Sequence, residues 1–145
     1  MIIRQANKDE LEAVIEFYKS QNYHGTDTMD GSEFTLVAED GDRIIGVVRL
    51  VIEENTLVLR GMFIDKPYQR QGIGKQMLDL MDVEIGDREC YCICKAYLET
   101  FLGDIGFSQI KPEKTPEHLT DRYYNYTQKA GVGPLLMVKR KGKKL

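Results

Sequence analysis

Apolar positions along this chain recur with two different periods, and the changes of period mark out its elements. Met1–Arg4 reads as an edge strand. Asn7 followed three residues later by Glu10 has the form of a capping box, and Leu11, Val14, Ile15 and Tyr18 then repeat at helical spacing, which predicts a first helix. Residues 20–33 are polar and broken by glycine, a long loop with room for one short helical turn. Phe34–Glu39 and Arg43–Ile52 are β-branched apolar runs on either side of Asp40-Gly41-Asp42, a hairpin signal, and Glu53-Glu54-Asn55 turns the chain into Thr56–Ile64. The result is a three-stranded antiparallel meander. From Gly72 to about Ile85 the period returns to helical through Ile73, Met77, Leu80 and Met81, with Gly86 placed as a terminator. Glu89–Cys94 reads as a short strand, Ala96–Ile105 as a helix closed by Gly106, and Phe107–Ile110 as another strand. That succession predicts a right-handed parallel crossover. Residues 111–133 are polar and tyrosine-rich, with Thr115-Pro116-Glu117 suited to start a short helix, and Pro134–Arg140 forms a last strand. The pattern is that of an α/β (α+β) chain, a mixed and mainly antiparallel central sheet flanked by helices.

Length adds the expectation of one domain over residues 1–145, because single cores usually hold about 100–200 residues. Charge adds more once it is resolved by position. The net charge is −3, but the last seven residues carry five cations and no acid, so residues 1–138 hold 15 cations against 23 acids, a charge of −8. An acidic body repels a phosphate backbone, which argues against nucleic-acid binding except through the basic terminus. No apolar run approaches the roughly 18–20 residues of a membrane span, and the first residues lack a long apolar leader, so a cytoplasmic location is expected. Cys90, Cys92 and Cys94 are odd in number and spaced by two, which supplies no disulfide framework. Alternate strand positions lie about 6.6 Å apart, wide for tetrahedral thiolates, so the three read as buried small hydrophobes and no metal site is expected.

The segment richest in chemistry is Leu57–Leu80, where a strand passes through a short turn into a helix. Helix starts recruit Asp or Glu to answer their free amides and partial positive charge, yet Gln69 to Gln76 contains no acid and two cations, Arg70 and Lys75. Gly72 and Gly74 remove side chains where a backbone would approach an anion such as a pyrophosphate. Two familiar phosphate motifs fail here. The dinucleotide fingerprint needs a third glycine where Met77 stands, and the P-loop needs Ser or Thr where Gln76 follows Lys75.

Gln69-Arg-Gln-Gly72-Ile-Gly74 does resemble the acyl-CoA motif of the GNAT superfamily of N-acetyltransferases, Gln/Arg-x-x-Gly-x-Gly/Ala at the start of the helix after the fourth strand. The order of elements resembles that family over most of the chain, down to Gly106-Phe107. The resemblance implies a GNAT fold that binds acetyl-CoA. It implies a pantetheine arm along Met62, Phe63 and Ile64, entering between that strand and the Cys90–Cys94 strand, and a pyrophosphate on the amides of Gln71, Gly72, Ile73, Gly74 and Lys75 beside Gln69 and Arg70. The implied reaction is direct transfer of an acetyl or other acyl group to an amine acceptor, a small molecule or a protein amine.

Read from its own chemistry, Gly61 inside an apolar strand marks a bulge or a close backbone approach, and a bulge frees amides able to polarise a thioester carbonyl. The catalytic residues stay unassigned. The family often carries a tyrosine four residues before the Gly-Phe glycine as the acid for the leaving thiolate, and Leu102 stands there. Tyr97 falls on another helical face, and Tyr23, Tyr123, Tyr124 and Tyr126 substitute only if their loops cover the cleft. Leu57–Ile64 has no carboxylate to serve as base, which leaves His24 as a loop candidate. Asp27, Asp30 and Glu33 favour a cationic acceptor. The missing tyrosine and carboxylate define a rival reading: a catalytically weak acyl-CoA-binding module that acts through protein contacts.

Overall fold

The computed structural model describes residues 1–130 and 134–140. They form β1 (Ile2–Gln5), α1 (Leu11–Ser20), β2 (Phe34–Asp40), β3 (Arg43–Glu53), β4 (Thr56–Ile64), α2 (Ile73–Ile85), β5 (Cys90–Cys94), α3 (Glu99–Asp104), β6 (Phe107–Gln109), α4 (Glu117–Ala130) and β7 (Leu135–Lys139). The strands make one mixed sheet in the order β1-β2-β3-β4-β5-β7-β6, flanked by helices, as the pattern predicts. Its one described parallel ladder is short, joining Val58 to Tyr91 and Leu59 to Cys92, so β4 leaves that ladder two residues before Gly61. Contacts gather the chain into two compact units, Met1–Val51 with Arg60–Met81, and Ile52–Leu59 with Asp82–Leu145.

In the first unit, α1 buries Val14, Phe17 and Tyr18 against Val37 of β2 and Val47 of β3, with Tyr23 and Phe63 packed on the rim. The entry to α1 is tied down by charge. Residues Lys8–Glu10 form a 3-10 turn before the α-helix proper. The Asn7 N–H donates to Glu10 Oε1 at 2.8 Å, and Arg4 of β1 donates to both Glu10 oxygens at 2.8 Å while also holding Glu39. This network holds the Glu10 carboxyl down to about 2, chiefly through the Arg4 bonds. The β2–β3 pairing shifts register between Ala38 and Glu39, where β3 has one residue more. The loop at 21–33 contains turns and no helix.

In the second unit, Val58, Tyr91, Val138 and Leu119 form the core, with Ile93 and Ile110 against them. Two expectations change here. The segment predicted as a short helix holds the 14-residue α4, whose single fully buried apolar residue in the first turn, Leu119, escapes a pattern read for an apolar stripe. The strand–helix–strand unit from β5 to β6 keeps the parallel sense expected of it, with β7 lying between the two strands and antiparallel to both. The helix expected at 96–105 opens instead as a 3-10 turn, Ala96–Leu98, leaving six residues to α3. Of the basic terminus, Lys139 is buried and ion-paired with Asp82, and Arg140 reaches Glu89 at 3.4 Å. These two cations belong to the folded sheet, while residues 141–145 lie outside the described residues.

Candidate active site

The predicted anion-binding turn forms as a strand, a 3-10 turn at Lys66–Tyr68 and the first turn of α2. Asp65 caps the 3-10 turn by accepting from the Lys66 N–H at 3.2 Å, and its own N–H donates to Ile45 O at 2.8 Å, which fixes the end of β4 to β3. Gln69 folds back so that its side-chain amide donates to Ile64 O at 2.9 Å, and Gln71 does the same to Pro67 O at 3.1 Å. These bonds brace the turn. Arg70 and Gly72 are both left-handed, φ +65° and +81°, a backbone geometry that gathers N–H groups on one side.

A side chain at Gly72 would touch nothing within 4 Å, so packing does not demand glycine there. Its backbone angle does, and the open space leaves the amides accessible. Gly74 differs: a Cβ would come 3.1 Å from the Met62 terminal methyl. The first α2 amide bonded back along the chain is that of Gln76, to Gly72 O at 3.1 Å, so helix geometry leaves the N–H groups of Ile73, Gly74 and Lys75 without intrahelical partners. No acid stands in this first turn, and Lys75 pairs only with Asp79 one turn on, at 3.1 Å. The expected residues Gln69, Arg70, Gln71 and Gly72 are exposed around this turn, while Ile73 is buried beneath it.

Met62, Phe63 and Ile64 are half-buried at the end of β4, directly after a kink at Gly61, φ +65°. The kink has a partner that sequence reasoning missed. Tyr18 of α1 is wholly buried and its hydroxyl donates to Gly61 O at 2.9 Å, so close that a Cβ on Gly61 would lie 2.5 Å from it. Arg49 of β3, also buried, donates from Nε to the Tyr18 hydroxyl at 3.2 Å and from Nη2 to the Tyr23 hydroxyl at 3.0 Å and to Gly25 O at 3.3 Å. Its guanidinium lies over the Tyr18 and Tyr23 rings, 5.3 and 5.9 Å from their centroids. Glu33 completes the cluster 3.6 Å from Arg49 Nη1, with a side chain only 6 % exposed. An arginine in the middle of an apolar strand was the signal that a buried polar partner existed.

The other candidates fall apart. Leu102 is buried, so no proton donor occupies that helix position. Tyr97 is 67 % exposed, Tyr124 and Tyr126 are exposed, and His24 sits exposed in its loop. Two of the three loop carboxylates are already engaged, Asp30 with the Ser32 N–H and hydroxyl and Glu33 with Arg49, which removes much of their weight as an argument for a cationic acceptor. The cysteines are buried free thiols. Burial pushes Cys90 up to about 12; the Cys92 thiol is raised and the Cys94 thiol lowered by the hydrogen bond between them. Among the described residues no group of His, Cys, Asp or Glu is placed to hold a metal, and no helix is long and apolar enough to cross a membrane.

A kinked fourth strand runs into a glycine-rich, acid-free helix start within a mixed seven-stranded sheet, the arrangement that the sequence resemblance led one to expect. The sequence model of the acetyltransferase (GNAT) domain matches residues 2–127, and the chain belongs to that family. No curated protein matches the sequence. Among solved structures, a GNAT-family acetyltransferase from Staphylococcus aureus Mu50 is similar at 20 % identity and a TM-score of 0.66, covering 98 % of this chain and 99 % of its own. Escherichia coli ElaA matches at 15 % identity and a TM-score of 0.70, over 97 % of this chain and all of its own. Rv2747 from Mycobacterium tuberculosis, solved in complex with CoA, matches at 17 % identity and a TM-score of 0.65, over 95 % and 98 % of the two chains. At these identities the likeness is one of fold.

Proposed function

We propose that this protein is an N-acetyltransferase that moves the acetyl group of acetyl-CoA directly to an amine. The observation that carries the reading is the α2 start: three free first-turn amides and a left-handed Gly72 with open space above it, with no acid to answer the positive helix end. In this reading the amides of Gln71, Gly72, Ile73, Gly74 and Lys75 hold the pyrophosphate, with Gln69 bracing the turn and Arg70 adding charge. Met62, Phe63 and Ile64 hydrogen-bond the pantetheine arm, and the Met62 N–H, first after the Gly61 kink, donates to the thioester oxygen as negative charge grows there.

The cysteines take no part. All three are buried free thiols, burial raising Cys90, and Cys94 donates to Met137 Sδ at 3.6 Å, which leaves direct attack by the amine. Tyr18 is not the acid for the leaving thiolate either, since burial raises its pKa and its proton is given to Gly61 O. A thiolate whose conjugate acid has a pKa of about 8.5 leaves without one. The acidic body, −8 over residues 1–138, favours a positively charged acceptor by long-range attraction. Thiol release from acetyl-CoA across a panel of small and protein amines tests the proposal. We expect turnover above background hydrolysis with at least one amine; background rates with every amine, in a protein that still binds CoA, would make it a binding module instead.

A further inference from the structure

We propose that Tyr18 is a positioning residue for acyl transfer: under the direction of Arg49, it fixes and polarises the Gly61–Met62 peptide so that the Met62 N–H is a stronger donor to the thioester oxygen. This rests on the function proposed above. A guanidinium has only donors, so the 3.2 Å contact between Arg49 Nε and the Tyr18 hydroxyl makes the hydroxyl oxygen an acceptor. The single hydroxyl proton is then committed to Gly61 O, 2.9 Å away. Arg49 is held on its other side as well, because Nη2 donates to the Tyr23 hydroxyl and Gly25 O and Nη1 faces the buried Glu33 side chain.

Gly61 O and the Met62 N–H belong to one peptide unit. A donor on the carbonyl draws charge through the amide and strengthens the N–H at its other end, the cooperativity that chained hydrogen bonds show in a low-dielectric interior. The same bond fixes the orientation of that peptide. Gly61 is in the left-handed region, where the carbonyl has turned out of the regular strand, and the Tyr18 hydroxyl fills the space that a side chain on residue 61 would need. The ring is held in turn by Tyr23 and Phe63, at centroid distances of 4.7 and 6.1 Å. The relay of hydrogen bonds therefore runs from Arg49 through Tyr18 to Gly61 and out through Met62, with Glu33 supplying an ion pair to Arg49 at 3.6 Å.

The test compares acetyl-CoA with CoA, which differ by the acetyl group that replaces the thiol hydrogen, on the full-length protein and its Tyr18→Phe variant, by calorimetry and by amide NMR. In the wild type we expect the Met62 amide proton to shift further downfield with acetyl-CoA than with CoA. In Tyr18→Phe we expect the free-protein Met62 resonance to move upfield, affinity for acetyl-CoA to fall about 3- to 10-fold, and affinity for CoA to change less than twofold. Equal losses for both ligands would reduce Tyr18 to a packing residue and overturn the proposal. A wild-type Met62 amide that responds identically to the two ligands overturns it as well, with no variant needed. Failure of the wild type to bind either ligand is a separate outcome that removes the acetyltransferase reading, and this inference with it.

Discussion

The two helix starts in the first unit are built on opposite plans. At α1 every positive feature is answered: Asp9, Glu10 and Glu12 stand in or beside the first turns, Glu10 closes back on the Asn7 N–H, and Arg4 clamps Glu10 in place. At α2 nothing answers: there is no acid in the first turn, two cations flank the glycines, and the Gln69 and Gln71 side chains bond the carbonyls of Ile64 and Pro67. A helix start that evolution leaves electrostatically incomplete, within a chain that completes another one so fully, is one whose missing acid is expected to arrive with a ligand.

The sharpest way to break this comparison is to make α2 resemble α1. Gly74→Glu puts a carboxylate in the first turn, at a position with ordinary helical geometry, where only the flexible Met62 methyl must give way. Helix propensity and the dipole both favour the change, so thermal stability should hold or rise, by as much as about 1 kcal/mol. Affinity for CoA measured by calorimetry should nevertheless fall about 10- to 100-fold, from repulsion at close range in a partly desolvated site. A variant that is both stable and unchanged in CoA affinity would sink the pyrophosphate assignment. The opposite signs are what make the test informative, since a change that merely damaged the helix would lower both.

The smaller effect comes from making α1 resemble α2. Glu10→Gln keeps the shape but removes the charge that Arg4 and the helix start share, and we expect a loss of about 1 kcal/mol in denaturant unfolding, the usual size of a lost cap. CoA affinity should stay the same, because this start serves the fold alone. If CoA affinity also fell, the division of labour between the two helix starts would be wrong.

The same contrast explains which parts were legible in the sequence. The α2 start was readable because its information is local: a glycine pair, two cations and an absence of acids all lie within eight residues. The α1 start was partly readable, since Asn7 and Glu10 announce it, but Arg4, which holds Glu10, and Glu39, which holds Arg4, come from separate strands. The Tyr18 cluster was readable only in pieces: Gly61 announced a bulge and Arg49 a buried partner, but nothing local joined either to Tyr18. Tyr18, Arg49 and Gly61 are 31 and 12 residues apart along the chain, and each has a bland local explanation: an apolar helix position, a stray strand cation, a twist glycine. Only the fold brings the hydroxyl to the carbonyl. The length of α4 and the insertion of β7 between β5 and β6 were hidden for a related reason, because both are decided by long-range packing that a pattern of local periods does not carry.

The finest distinction between the two starts is their response to acid. Glu10 has its carboxyl held at about 2 in the folded protein against an ordinary 4.5, mainly by the hydrogen bonds from Arg4 and the Asn7 N–H. Because the folded value is the lower one, the unfolded chain binds the proton more readily; the stabilisation is fully present above 4.5 and is lost as pH falls toward 2. The first turn of α2 has no carboxylate to titrate, so its amides keep the same charge through that window. Unfolding of the wild type followed from pH 5 to pH 2 should therefore show a steeper loss of stability than the same titration of Glu10→Gln, with the two curves converging toward pH 2. Parallel curves over the whole range would mean that Arg4 and Asn7 do not favour the ionised form of Glu10 in solution, and the claim that α1 is the electrostatically completed helix would lose its footing.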